Sequence, residues 1–295
     1  MQRPLRRPIR TALLLVGVVL CALAPAAAHA ARVGVLSNKN FNETAGDFGS
    51  KIQTHTFTGV DVSSGPPSLS RLLQDFDVLL LFEDGTFSQA PAVGTVVAQF
   101  AETGRPVVLG TFYDQDRSDG PIDFTPHGWG DLELIDPNTT DGVGTTYQTR
   151  TLGSVVTHPL TTGVTSLMSA KFAGGNQAKP ATIVVATWAQ KNALGNPDPV
   201  AAYRITGAAC VIHIAIAPDY PTVGIPGTDF SGDFYRLWRN AFDFAANRCV
   251  TGTAQLPLSQ AVAIPASSWP ALALGATLLL GFAMRRLSRR PRRAR

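Results

Sequence analysis

Short continuous apolar runs alternate with helical patterns over the first third of the folded chain. Arg32–Leu36 (RVGVL) reads as a buried strand. His55–Val62 (HTFTGVDV) is β-branched and alternating, a second strand. Ser68 opens a short helical turn over Leu69–Leu73, and Asp77–Phe82 (DVLLLF) is a strand buried on both faces. Val93, Val96, Val97 and Phe100 recur at i, i+3, i+4 and i+7, which predicts an amphipathic helix over Ala92–Glu102. Gly104 ends it before the buried strand Pro106–Phe112 (PVVLGTF). Strand, helix, strand, helix, strand predicts parallel pairing with right-handed crossovers.

The pattern then loosens. Residues Tyr113–Ala178 are rich in Gly, Thr, Asp and Pro, which predicts long loops and short strands. Three strand-like runs follow at Thr182–Trp188, Val200–Ile205 and Ala209–Ala217. Gly207 between the last two predicts an antiparallel hairpin. Phe234, Leu237, Trp238, Ala241, Phe242 and Ala245 mark one face of a closing helix over Phe234–Ala246, with Asp233 or Ser231 as its cap. The expected fold class is α/β: an open, mostly parallel, flavodoxin-like sheet flanked by helices, with a late antiparallel hairpin.

Both ends differ from this body. Arg3, Arg6, Arg7 and Arg10 precede an apolar run, Ala12–Ala24, and Ala28-His29-Ala30 supplies small residues two apart. This is the secretory three-part pattern, with signal peptidase cutting after Ala30. The apolar run is short for a membrane span, which needs about 20 residues. At the other end, Thr251–Ala263 is an uncharged linker, and Trp269–Met284 is apolar and followed by seven arginines. That predicts a membrane segment with its tail cytoplasmic. The organisation expected is therefore a leader at 1–30, a body at 31–250, a linker at 251–263 and a terminal signal at 264–295.

Charge changes its meaning once the ends are set aside. The terminal segments hold 11 of the 25 Lys and Arg, while all 21 Asp and Glu lie in the body; 14 against 21 leaves the body at −7. A nucleic-acid binder needs a basic footprint, and this body has none. Cys21 leaves with the leader, so Cys210 and Cys249 remain. They form a bridge or two buried thiols; export favours the bridge.

Two resemblances follow. Ile264-Pro265-Ala266-Ser267-Ser268-Trp269, with its apolar helix and arginine cluster, resembles the exosortase-type sorting signals of Gram-negative bacteria, in the Ile-Pro-Thr-Leu variant. The Thr-Leu pair is missing and the gap to Trp269 is one residue shorter. The resemblance implies cutting near Pro265 by a membrane transpeptidase and display at the cell envelope; the plainer reading is a single-pass anchor. RVGVL, DVLLLFED, ETGRPVVLGTF, His158-Pro159-Leu160 before Gly163-Val164, and SGDFYRLWRNAFDFAA together resemble the class I glutamine amidotransferase-like fold, including trehalose-utilisation-type domains. In catalytic members a Cys follows the strand matched by PVVLGTF. Here Gly110-Thr111-Phe112 stands there, and the late His-x-Glu pair is also missing, since Ala215 follows His213 by two.

Candidate chemistry is confined to carboxylates. Glu83 and Asp84 end one buried strand, and Asp114, Asp116, Asp119 and Asp123 follow the next, at strand ends where open α/β sheets bind ligands. Asp114-x-Asp116-x-x-Asp119-Gly120 departs from the hand-type calcium loop in ligand spacing, so no cofactor is expected beyond an occasional calcium ion. The leading expectation is a non-catalytic binding or scaffolding domain at the cell envelope. The alternative is an exported hydrolase that uses these carboxylates on envelope carbohydrate.

Overall fold

The computed structural model describes residues 30–82, 87–110, 116–117, 120–121, 134–136, 149–170, 177–191 and 195–249. The chain divides into two units, Met1–Ala254 and Gln255–Arg295, and every described residue belongs to the first.

The first half runs β1 (Arg32–Ser37), α1 (Phe41–Lys51), β2 (Thr56–Asp61), α2 (Leu69–Asp75), β3 (Val78–Leu81), α3 (Ala90–Glu102) and β4 (Val107–Gly110). The short pairs β5 (Asp116–Arg117) with β6 (Gly120–Pro121), and β7 (Ile135–Asp136) with β10 (Gln177–Ala178), stand apart from the main sheet. Into that sheet enter β8 (Arg150–Val155), β9 (Leu167–Ser169), β11 (Ile183–Lys191), β12 (Pro197–Thr206), β13 (Ala209–Ile214) and β14 (Phe230–Gly232). Helices α4 (Tyr220–Val223) and α5 (Phe234–Phe244) close the body, and a wider turn over Ala245–Cys249 prolongs α5.

The main sheet has ten strands in the order β14-β9-β8-β11-β12-β13-β4-β3-β1-β2. From β13 to β2 the pairings are parallel. From β14 to β13 all five are antiparallel. The expectation of a mostly parallel sheet is therefore corrected: the fold is mixed α/β with its parallel character confined to one half. The β12–β13 hairpin was expected; the four antiparallel pairings beyond it were not, because strand direction is not written in composition. Between β12 and β13 lies a two-residue turn with Gly207 at φ 58°, and so short a link admits only antiparallel neighbours.

Alternation sorts the parallel half between two helical layers. Val33, Val35, Leu80, Val108 and Ile212 share one core with Phe48 of α1 and with Leu237, Trp238 and Phe242 of α5. Leu36, Leu79, Leu81, Leu109 and Val211 share the other with Leu72 of α2 and with Val93, Val97 and Phe100 of α3. Strands buried on both faces give the unbroken apolar runs seen in the sequence. Helix α1 has no such signature, because it buries only Thr44, Ala45 and Phe48.

One capping expectation is also corrected. Asp233 precedes α5 but makes no side-chain cap to it. Its carboxylate instead accepts from Thr165 N at 2.8 Å, Ser166 N at 3.1 Å and Thr165 Oγ1 at 3.1 Å, tying the turn before β9 to the helix start. Ser68 behaves as expected: its hydroxyl accepts from Arg71 N at the start of α2.

Candidate functional site

Chain direction places the site. From β1, the chain passes through α1 to β2 on one side, then through α2 to β3 on the other. The carboxyl ends of β1 and β3 therefore flank a topological switch point, where crossovers diverge and leave a crevice.

Ser37 closes β1 there and is wholly buried. Its hydroxyl donates to Asn38 Oδ1 at 3.4 Å and accepts from Lys39 N at 3.3 Å, which folds the chain into a polar turn. Asn40 ends the turn in the left-handed region at φ 53°, a conformation that Asn tolerates. Its Nδ2 donates to Asp219 Oδ2 at 3.2 Å, joining the β1 end to the segment after β13. Asp219 is buried, while Lys39 is exposed. The neighbouring Ser169 and Tyr220 hydroxyls lie 2.9 Å apart, both buried. Asp61, at the carboxyl end of β2, is exposed, and the Ser63 hydroxyl and N–H hold its carboxyl below the usual range. A groove of about 270 Å³ between β2 and α2 runs back from Asp61 past Arg71 to Asp75, away from the carboxyl edge. The result is a ledge of amide, ammonium and carboxylate groups, suited to polar recognition.

Acid–base candidates are occupied elsewhere. His55 lies at the opposite, amino edge, with Nδ1 accepting from Ala31 N at 3.1 Å and Nε2 3.0 Å from Asp243 Oδ1. His158 accepts from Leu160 N through Nδ1 and stacks on Tyr203, ring centroids 4.8 Å apart. His213 alternates with Ile212 and Ile214 and is buried within β13; burial pulls its imidazole down to about 3, so it is neutral at ordinary pH. Among the described residues, each histidine thus serves the fold.

The carboxylates expected at this edge are mostly beyond view. Glu83, Asp84, Asp114 and Asp119 lie outside the described residues, and Asp116 is described only in its backbone, in β5 opposite Pro121. Phe82, directly before Glu83, is buried at the carboxyl end of β3. Among the described residues, no three His, Cys, Asp or Glu side chains gather as metal ligands. Ile264, Pro265 and Trp269 lie outside the described residues, and no described helix is long and apolar enough to cross a membrane. Cys210 is buried and disulfide-bonded; the side chain of Cys249 is outside the described residues.

Sequence reading missed two groupings. The polar run Asn38-Lys39-Asn40 directly after a buried strand was a readable signal for the ledge, but Asp219 was not, since its partner is 179 residues away. The other is an ion pair between Arg150 of β8 and Asp198 of β12, with side chains 5% and 0% exposed.

No family model matches the sequence, and no curated protein matches it either. Several solved structures are similar. A glutamine amidotransferase from Thermotoga maritima is 10% identical with a TM-score of 0.45, over 74% of this chain and 99% of that one. The β-galactosidase of Rahnella sp. R3 is 14% identical with a TM-score of 0.40, over 79% of this chain and 34% of that one. The carbohydrate deacetylase Agd3 is 11% identical with a TM-score of 0.40, over 75% and 33%. This chain thus spans about a third of the length of the last two. Likenesses of this degree carry no activity from one protein to another.

Proposed function

We propose that this protein is an exported, envelope-anchored binding or scaffolding domain without catalytic activity, whose ligand surface is the polar ledge at the carboxyl edge of β1. Signal peptidase removes the leader, and an exosortase-like transpeptidase processes the tail near Pro265 in a Gram-negative envelope. The observation that supports this most is the commitment of His55, His158 and His213 to the fold, so that among the described residues no histidine stands on the ledge. The sequence pattern agrees, lacking the Cys and the His-x-Glu pair that amidotransferase chemistry needs.

The test is binding of the purified exported protein to polysaccharide isolated from its own envelope. Lys39→Ala removes an exposed charge, and Asn40→Gly removes the side chain while keeping the left-handed backbone available. Each is expected to weaken binding by roughly tenfold, about 1.4 kcal/mol, with no carbohydrate consumed. Steady turnover that disappears in Glu83→Ala or Asp114→Ala would replace this reading with the hydrolase.

A further inference from the structure

We infer that the amino edge of the sheet is a built receptor for the chain's own α-ammonium group, the one released by cleavage after Ala30. The inference rests on the export reading above. Its structural basis is the abrupt change at that peptide bond. Ala30 is exposed, whereas Ala31 is 2% exposed and already paired, its carbonyl accepting from Thr56 N at 3.0 Å. The bond that the sequence marks for cutting is thus the boundary at which burial begins.

The Ala31 nitrogen meets a prepared acceptor. It donates to His55 Nδ1 at 3.1 Å, so that nitrogen carries no proton and Nε2 carries it. Nε2 in turn donates to Asp243 Oδ1 at 3.0 Å. The His55 side chain is fully buried, edge-on to Phe57 and Phe242 at centroid distances of 6.4 and 6.2 Å. Among the described residues, α5 places two charged groups by this chain of bonds: Asp243, and Arg239, whose Nε is 4.0 Å from Asp243 Oδ2. On neighbouring elements, Arg32 of β1 is engaged with Asp77, and Lys51 of α1 lies over the Tyr235 ring.

In the uncut chain, Ala31 N is a peptide N–H with one donor. Hydrolysis of the Ala30–Ala31 bond by signal peptidase consumes one water, leaves a carboxylate on Ala30 and frees an ammonium on Ala31. The same nitrogen then carries a positive charge facing a neutral imidazole that is backed by the Asp243 carboxylate. Its hydrogen bond becomes charge-assisted and stronger, and one further N–H takes the place of the bond to the exposed Ala30. Maturation therefore stabilises the edge at which β1 begins. Because Ala31 is buried in the fold, cleavage precedes docking of β1.

The test follows acylation of the α-amine in the exported protein, read from the mass of its N-terminal peptide across pH, native and in urea. An ordinary α-amino group titrates near 8. The native protein is expected to show a midpoint about one pH unit above its urea-unfolded form, hence acylation about tenfold slower at pH 7. Asp243→Asn should return the midpoint toward the unfolded value. Steric burial alone would slow acylation without raising the midpoint, and an Ala31 terminus with an unraised midpoint would overturn the inference while leaving the export reading intact. A mature terminus at a neighbouring residue would overturn the inference alone, and a chain that keeps its leader would overturn both.

Discussion

Buried polar residues carry the sharpest expectations at the scale of single side chains. Unfolded, the His213 imidazole takes a proton near pH 6.5; folded, burial keeps it neutral down to about 3. Between those values the unfolded state holds the extra proton, so stability falls as pH drops below 6.5 and is flat above it. The limiting slope is about 1.4 kcal/mol per pH unit. His213→Leu should flatten that dependence in denaturation curves taken between pH 4 and 7, whatever it does to absolute stability. Asp233 works in the opposite window. The backbone N–H of Thr165 first, then that of Ser166 and the Thr165 hydroxyl, hold its carboxyl below the usual range. A depressed carboxyl stabilises above its ordinary value, 3.8, and loses that contribution as pH falls through the lower folded value. Asp233→Ala should therefore cost about 1.5–3 kcal/mol at pH 7, with the gap to wild type closing in strongly acid solution. For Arg150 and Asp198, removing one partner leaves the other charge buried, so Arg150→Ala should cost about 3–5 kcal/mol in urea denaturation.

Secondary-structure elements differ in how plainly the sequence announces them. Strands β1, β3, β4 and β13 are buried on both faces, and their apolar runs are unmistakable. Helix α5 was equally clear, since Phe234, Leu237, Trp238, Ala241 and Phe242 form one buried stripe. Helix α1 was not, because FNETAGDFGSK offers only Phe48 as a large buried residue and has no side-chain cap. The antiparallel half was legible only at the β12–β13 hairpin, because strand direction is not written in composition. Strand β8 is mostly exposed, and its closeness to β11 depends on a glycine that no periodicity reveals. A Cβ on Gly153 would lie 2.6 Å from Trp188 O and 2.7 Å from Ala189 N, both backbone atoms that cannot swing aside. Gly153→Ala should force β8 from β11 and cost about 1–3 kcal/mol by thermal denaturation. The ledge residues Asn38 to Asn40 were visible as a polar run; Asp219 became a site residue only through the fold.

On the scale of the whole molecule, two ends that share no charge pattern with the body set the account. Basic segments at both ends frame a body of net charge −7, so the sequence pI of about 9.1 comes from the ends and not from a basic body. Cys210 is disulfide-bonded, and such bonds persist in oxidising compartments. Peptide mapping without reductant should find its partner to be Cys249. We propose that this body is exported, trimmed at both ends and displayed. The most direct measurement is the intact mass of the native protein recovered from membrane and medium. Processing at both ends would leave a chain that begins at Ala31 and ends near Pro265, with or without the added mass of an envelope anchor. A chain that still carries Arg295 would contradict it and reduce the tail to an ordinary membrane anchor.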